Sequence, residues 1–276
     1  MLHRAVQILA AATLAVALVG CGGGGCSSGS SGGPGTILES SRLMLRMTDS
    51  PDPAFLAASV TISKIEVNRE GAWVLVTDVP QTIDLLDIAI NGKVIGDILV
   101  PAGSFTQIRI YVSQATITNA TGSHDVKLSS VSNGIKVNLD FVVELNKTTE
   151  ILIDFNSHHA IVKETGSTFM LRSVVQAITA ADSGTLVGTV FDGTDLVTGA
   201  LVSAIYESGL NAAPGHVVNS AMSDANGEFK VWALDEGTYT VEFTWTDAQN
   251  NDLTATVSGV TVTAQNETSV GDVALQ

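Results

Sequence analysis

Cysteine is almost missing from this chain of 276 residues: only Cys21 and Cys26 occur, so no disulfide framework can hold the fold. Cations are scarce too, 13 Lys and Arg against 28 Asp and Glu, for a formal charge of −15. Such a field repels phosphates, and nucleic acid is excluded as an expected partner. Stretches with helical spacing are nearly absent, and beyond the first twenty residues there is no long apolar run. The sequence has no H-E-x-x-H, P-loop or dinucleotide fingerprint, and no serine elbow in a strand-to-helix setting. No catalytic residue and no cofactor is therefore assigned, and the chain is expected not to be an enzyme.

What is present begins at the N-terminus. His3 and Arg4 precede an apolar run from Ala5 to Val19, interrupted by Gln7 and Thr13, and residues 1–20 read as a secretory signal. At 1.5 Å per residue the run reaches about 22 Å, short of the roughly 30 Å of a bilayer core. The sequence Leu18-Val19-Gly20-Cys21 resembles the lipobox of bacterial lipoproteins. That resemblance implies cleavage before Cys21, a diacylglyceryl group on its sulfur and a fatty acyl group such as palmitate on the new amine. Two or more acyl chains make a lasting anchor, because one alone binds membranes only marginally. Gly22 stands where an aspartate commonly retains enteric lipoproteins at the inner membrane, so the implied location is the outer membrane of the cell envelope, on either face. A lipidated Cys21 leaves Cys26 without an intramolecular partner, and it is read as a free thiol in preference to one paired between molecules in an oxidising compartment.

Residues 21–36 carry that anchor and a Gly/Ser-rich tether, GGGGCSSGSSGGPG over 22–35, with nothing able to pack. A flexible chain of this kind spans about 20 Å on average and serves as stand-off from the membrane.

The remainder alternates apolar and polar residues in short runs parted by Gly, Pro, Asn and Asp. Ile108, Ile110 and Val112 alternate with Gln107, Arg109 and Tyr111. Ile151, Ile153 and Phe155 flank Leu152 and Asp154. Tyr239, Val241, Phe243 and Trp245 alternate with Thr240, Glu242, Thr244 and Thr246. Each run offers one apolar face, as strands of a sandwich do, and the expected class is all-β. Small and polar residues at Thr179-Ala180-Ala181-Asp182-Ser183-Gly184 suggest a boundary between two β-sandwich domains, 37–180 and 184–276. A short helical turn is expected at Pro53 to Ala58.

In the second block, Gly184-Thr185-Leu186-Val187-Gly188-Thr189-Val190-Phe191-Asp192-Gly193 and Gly199-Ala200-Leu201-Val202 resemble the opening strands of carboxypeptidase regulatory-like domains. Ser223 to Phe229, Leu234 to Val241 and a closing strand near Val270 to Leu275 extend the likeness. The resemblance implies a transthyretin-like (Ig-like) Greek-key sandwich, acting as a spacer, packing or ligand-presenting module. Asp224 to Gly227 reads as a hairpin turn, with Gly227 and likewise Gly237 supplying positive φ. Asp192, Asp195, Asp224 and Asn226 are also oxygen donors of the kind calcium takes, but the spacing and closing Glu of an EF-type loop are missing, so the turn is preferred and no metal is assigned.

The first block is similar to a domain-of-unknown-function family found in bacterial lipoproteins. The residues that carry this are Met47-Thr48-Asp49-Ser50-Pro51, Val60 to Val67, Ile83-Asp84-Leu85-Leu86, Pro101 to Arg109, Ile151 to Phe155 and a final strand from Phe169 to Val175. Where that family often has Arg-Pro, this chain has Arg172-Ser173. The family supplies no catalytic residues. Leu99 to Thr106 and Leu234 to Thr240 echo each other, a Gly turn before an aromatic-led strand, and read as one sandwich corner used twice.

Three further groups invite chemistry. His158 and His159 lie between Asp154 and Glu164, but neighbours in an extended chain point to opposite faces, so loop histidines are preferred to a metal pair. Asp49 with Asp52 and Asp84 with Asp87 are close in sequence, and Asp49-Ser50-Pro51 reads more simply as a turn ending a strand. Trp73, Trp232, Trp245, Tyr111 and Tyr206 are read as core or rim residues, with stacking on sugars if exposed. The expected function is a non-enzymatic, lipid-anchored envelope protein serving adhesion, scaffolding or ligand presentation. The alternative is a carbohydrate- or cation-binding module serving a transporter or hydrolase. The expected partners are the membrane, through the lipid, and a carbohydrate or envelope protein.

Overall fold

The longest strands announce the architecture, because their apolar alternation changes phase instead of running straight. A computed structural model describes residues 40–128, 131, 133–209 and 215–276. Cys21, Cys26, the signal segment and the Gly/Ser tether lie outside the described residues. The elements in order are β1 (Ser40–Thr48), β2 (Ala57–Arg69), β3 (Ala72–Thr77), β4 (Gln81–Asp84), α1 (Ile88–Asn91), β5 (Lys93–Pro101), β6 (Gly103–Asn119), β7 (Gly122–Lys127), β8 (Ile135–Val143) and β9 (Thr148–Asp154). There follow α2 (Ser157–Ala160), β10 (Ile161–Lys163), β11 (Phe169–Leu171), β12 (Gln176–Thr179), β13 (Gly184–Asp192), β14 (Asp195–Leu196), β15 (Leu201–Gly209), β16 (His216–Met222), β17 (Glu228–Leu234), β18 (Gly237–Thr246), β19 (Asp252–Val262) and β20 (Glu267–Ala274). The class is all-β, as expected. No helix among the described residues is long and apolar enough to cross a membrane.

In β2 the buried residues are Ala58, Val60 and Ile62, then Ile65 and Val67. The slip of one residue would turn the second pair outward, but irregular pairing with β6 between Ile62 and Lys64 absorbs it and returns Ile65 to the core. The same device acts in β6, where the buried set steps from Phe105 to Ile108 and the register with β8 shifts between Phe105 and Gln107. These two strands outlast any single partner: β2 pairs with β3 at one end and β4 at the other, and β6 with β8 and β7.

Two sheets enclose the first core. One has the order β12-β9-β1-β5, with β1 and β9 parallel; the other is eight-stranded around β6 and β2. Their inner faces meet through Leu43, Leu45, Val60, Ile65, Phe105, Ile110, Ile151 and Phe155. The second core, among them Leu186, Val202, Tyr206, Val231, Tyr239 and Phe243, lies between a sheet of β13 with β14, β17 and β20 and a sheet of order β16-β15-β18-β19. Both are sandwiches, and Leu38–Gln276 forms one unit.

Several local expectations need correction. Pro53 to Ala58 is not helical: Asp52 Oδ1 accepts from the Ala54 N–H, a turn closes with Phe55 N–H donating to the Asp52 carbonyl, and β2 has begun by Ala57. The strand from Phe169 ends at Leu171, and the chain resumes pairing only at Gln176. Gly237 does not take positive φ; it is small because a Cβ there would stand 2.7 Å from Tyr206 Cε2 and 2.9 Å from the Ser208 carbonyl oxygen. Gly227 does take positive φ, +69°, in a turn where Asp224 Oδ1 accepts from the N–H groups of Asn226 and Glu228.

The paired corners do recur. Pro101 to Gly103 passes the chain from the β1 sheet to the β6 sheet, and Leu234 to Gly237 passes it from the β13 sheet to the β15 sheet. In the second corner the buried Tyr239 donates its hydroxyl to the Asp235 carbonyl at 2.8 Å; Phe105 starts the equivalent strand in the first and has no hydroxyl to give.

Candidate functional site

The outer face of β9 is buried, although its alternation reads as polar. Leu152 and Asp154 are as inaccessible as Ile151 and Ile153. The inner face meets the first core, while β17 of the second sandwich packs against the strand and against α1. A carboxylate has thereby been carried into the joint between two sandwiches.

Asp154 does not stand alone there. β1 and β9 run parallel and in register to Thr48 and Asp154, so the residues just after β1 reach the same end of the sheet. Asp49 and Ser50 follow, and both are buried. Asp49 is held by a single residue, accepting from the Ser157 backbone N–H (2.8 Å) and from the Ser157 hydroxyl (2.6 Å). Ser157 opens the one-turn helix α2, whose preceding Asn156 adopts left-handed φ of +52° and accepts from the His159 N–H at 3.2 Å.

Ser50 is the hinge of the cluster. Its hydroxyl lies 3.1 Å from Asp154 Oδ2 and also bonds Asn219 Oδ1 of β16, while the Ser220 N–H donates to it at 3.4 Å. Asn219 is itself oriented, its Oδ1 taking the Ser220 N–H and its Nδ2 donating to the Trp232 carbonyl, each at 2.9 Å. Trp232 completes the joint: its indole N–H faces the carbonyls of Ala89 (3.0 Å) and Ile90 (3.1 Å) in α1.

The charge state follows from this geometry. Burial pushes the Asp154 carboxyl up to about 7. Burial, with the nearby Asp154, raises Asp49 well above the usual carboxylate range against the pull of both Ser157 bonds. A serine hydroxyl has one proton, yet Ser50 faces two acceptors. A proton on Asp154 resolves the conflict, because Asp154 then donates to Ser50 and Ser50 to Asn219.

At the rim, His158 Nδ1 lies 3.4 Å from Asp52 Oδ2, at ion-pair distance without hydrogen-bond alignment. Asp52 raises the imidazole, while His158 and the Ala54 N–H together outweigh burial and lower Asp52. The two histidines are not in a loop. The turn of α2 brings their rings to 4.7 Å between centroids, and burial, with His158 and His216 nearby, lowers His159.

The other candidates are dispersed. Asp192 and Asp195 face each other, exposed, across the β13-β14 hairpin, and Asp224 and Asn226 belong to the turn already described. No cluster of three or more His, Cys, Asp or Glu able to hold a metal occurs among the described residues. Asp84 caps its own loop by accepting from the Leu86 N–H. Glu164 pairs with Lys127 rather than with the histidines. Tyr206 is core and Trp245 packs against the same core, whereas Trp73 is 38% exposed and shares the outer face of the larger sheet with Tyr111. Ser157, Asn156 and Asn219 are not singled out by the sequence, and Ser50 only as part of the turn Asp49-Ser50-Pro51; the only signal is polar residues at both ends of apolar runs.

The elements that build one side of this joint, β1 through β11, coincide with a recognisable family. Residues 40–173 match the family described as Domain of unknown function (DUF4382). No curated protein matches the chain. Among solved structures the chain is similar to the Bacillus anthracis TIE protein, at 14% identity over 86% of this chain and 34% of that one, with a TM-score of 0.25. It is also similar to BcpA, the major pilin subunit of Bacillus cereus (12% identity, 84% of this chain, 70% of that one, TM-score 0.24), and to GBS52, the minor pilin of Streptococcus agalactiae (9%, 86% and 96%, 0.23). The chain thus spans about a third of the length of the TIE protein. At these identities and scores the likenesses carry no argument about function.

Proposed function

We propose that this protein is a non-enzymatic, lipid-anchored component of the bacterial cell envelope whose paired sandwiches hold a binding surface at a distance from the membrane. The observation that carries this reading is the joint. Trp232 and Asn219 of the second sandwich bond directly to the first, and the connecting turn is tied on both sides, with Ala180 N–H donating to the Glu150 carbonyl and Gln265 N–H to the Ser183 carbonyl. A stand-off element needs such a stiff junction, and a carboxypeptidase regulatory-like module in the second position fits that use. The lipobox Leu18 to Cys21 and the Gly/Ser tether supply the anchor, with the outer membrane as the location that Gly22 favours.

Growing cells on radioactive palmitate tests the anchor: label is expected in the wild type and absent from Cys21→Ala, and equal label in both would overturn it. Protease shaving of intact cells then assigns the face on which the sandwiches stand.

A further inference from the structure

The outer face of the eight-stranded sheet carries side chains that the joint does not use. Three successive cross-strand rows cross it. The first is Trp73, Asn68, Gln107 and Asn138, the second Leu75, Glu66, Arg109 and Lys136, and the third Lys64 and Tyr111. The alternate residues Ile65, Val67, Ile108 and Ile110 are buried, so these rows point outward. Four strands make the face about 14 Å wide, with rows about 7 Å apart.

The polar groups of the face form a circuit. The Arg109 guanidinium lies 4.0 Å from the Trp73 ring centroid, and its Nη1 donates to the Tyr111 hydroxyl at 3.3 Å. That hydroxyl donates to Glu66 Oε2 at 3.0 Å, Lys64 Nζ donates to Glu66 Oε1 at 3.0 Å, and Lys64 closes the circuit 4.2 Å from the Tyr111 ring centroid. Gly134 leaves the room this requires, since a Cβ there would stand 2.8 Å from Arg109 Cγ. Arg109 Nε is shielded and has no acceptor among the described residues. Alongside, Gln107 Nε2 donates to Asn138 Oδ1 at 2.6 Å, which leaves one amide oxygen and one amide hydrogen-bonding edge facing solvent.

The part of this face made up by the three rows is opposite in charge to the molecule. Its rows hold three cations, Lys64, Arg109 and Lys136, against the single carboxylate of Glu66, while the whole chain has 13 against 28. We infer that this face binds an acidic polysaccharide of the uronate-bearing class. The cations pair with its carboxylates, Trp73 and Tyr111 pack against its ring faces, and the Gln107 and Asn138 amides take its hydroxyls. A protein partner fits less well, because lysine and glutamate are depleted from protein interfaces and Lys64, Glu66 and Lys136 stand beside Arg109 across this face. The inference rests on the reading of the protein as a binder that does no chemistry.

The test is affinity electrophoresis of the full chain in non-ionic detergent, through gels containing polygalacturonate, alginate, dextran or polyphosphate. Retardation is expected in the two uronate polymers and not in dextran, weakening as NaCl is added. Lys136→Glu, at an exposed site that cannot disturb the core, and Arg109→Gln are each expected to weaken the apparent affinity about tenfold. No retardation by either uronate polymer, equal retardation by dextran or polyphosphate, or wild-type binding by both variants would overturn the proposal. Palmitate labelling at Cys21 is read separately, so loss of glycan binding and loss of the anchor are distinguishable.

Discussion

Ser50, two residues past the end of β1, hydrogen-bonds Asn219 in β16, 169 residues further along the chain. The bond is buried and crosses from one sandwich to the other, and Asp154 lies within reach of the same hydroxyl. The joint therefore depends on a proton count as well as on packing.

Stability should fall as pH rises because of Asp154. Its folded pKa is raised to about 7 from an ordinary 3.8, so the unfolded chain releases this proton first. The contribution is full below about pH 4, is lost progressively up to about pH 7 and then levels off, a change on the order of 4 kcal/mol. Asp154→Asn keeps the shape and removes the charge. Thermal melts should show the variant above the wild type by several degrees at pH 8 and level with it at pH 4.

Asn219→Ala removes the bridge itself. The Ser220 N–H and the Trp232 carbonyl lose their partner in a buried place, for a cost of about 1–3 kcal/mol. Hydrogen exchange should accelerate in β16 and β17 and at the start of α2. A change spread evenly over both sandwiches would instead indicate global destabilisation.

His158→Gln probes the rim pair. The folded pKa of His158 is raised, so its contribution is complete below the unfolded value of 6.5 and disappears as pH rises through the folded one. That of Asp52 is lowered, so its contribution lapses only in acid, below 3.8. Between those limits the variant should lose at most about 1 kcal/mol, because the pair is partly exposed, and above pH 8 it should lose almost nothing. Chemical denaturation at pH 5.5 and 8.5 checks both halves of this statement.

Gly237→Ala tests the corner. The new methyl would meet the Ser208 carbonyl oxygen at 2.9 Å and the Tyr206 ring at 2.7 Å, and backbone oxygen in a paired strand cannot retreat. A loss of about 1–3 kcal/mol is expected in equilibrium unfolding. Gly71→Ala, where a Cβ meets nothing within 4 Å but φ is +89°, separates steric crowding from backbone strain.

Much of this architecture was legible along the chain. Period-2 alternation located β6, β9 and β18, and Asp224 to Gly227 read as the turn it is. What misled was local reasoning about polar residues. Asp49-Ser50-Pro51 looked like a turn ending a strand, and it does follow β1, yet Asp49 and Ser50 are sealed inside. Sequence proximity pairs Asp49 with Asp52, three residues away, whereas its charge is coupled to Asp154, which sequence distance conceals.

The sequence by itself determined the acidic balance, which is composition, and the β class, the strand faces turned toward each core and the Asp224 to Gly227 turn, because each of these depends on neighbours one to four residues away. Only the tertiary structure decided that the outer face of β9 would be covered, that Ser50 would meet Asn219, and that Trp73, Tyr111 and Arg109 would share one surface. Those relationships arise from strand pairing and from one sandwich resting on another. Burial alone then turns an ordinary aspartate such as Asp154 into a group that holds its proton near neutral pH.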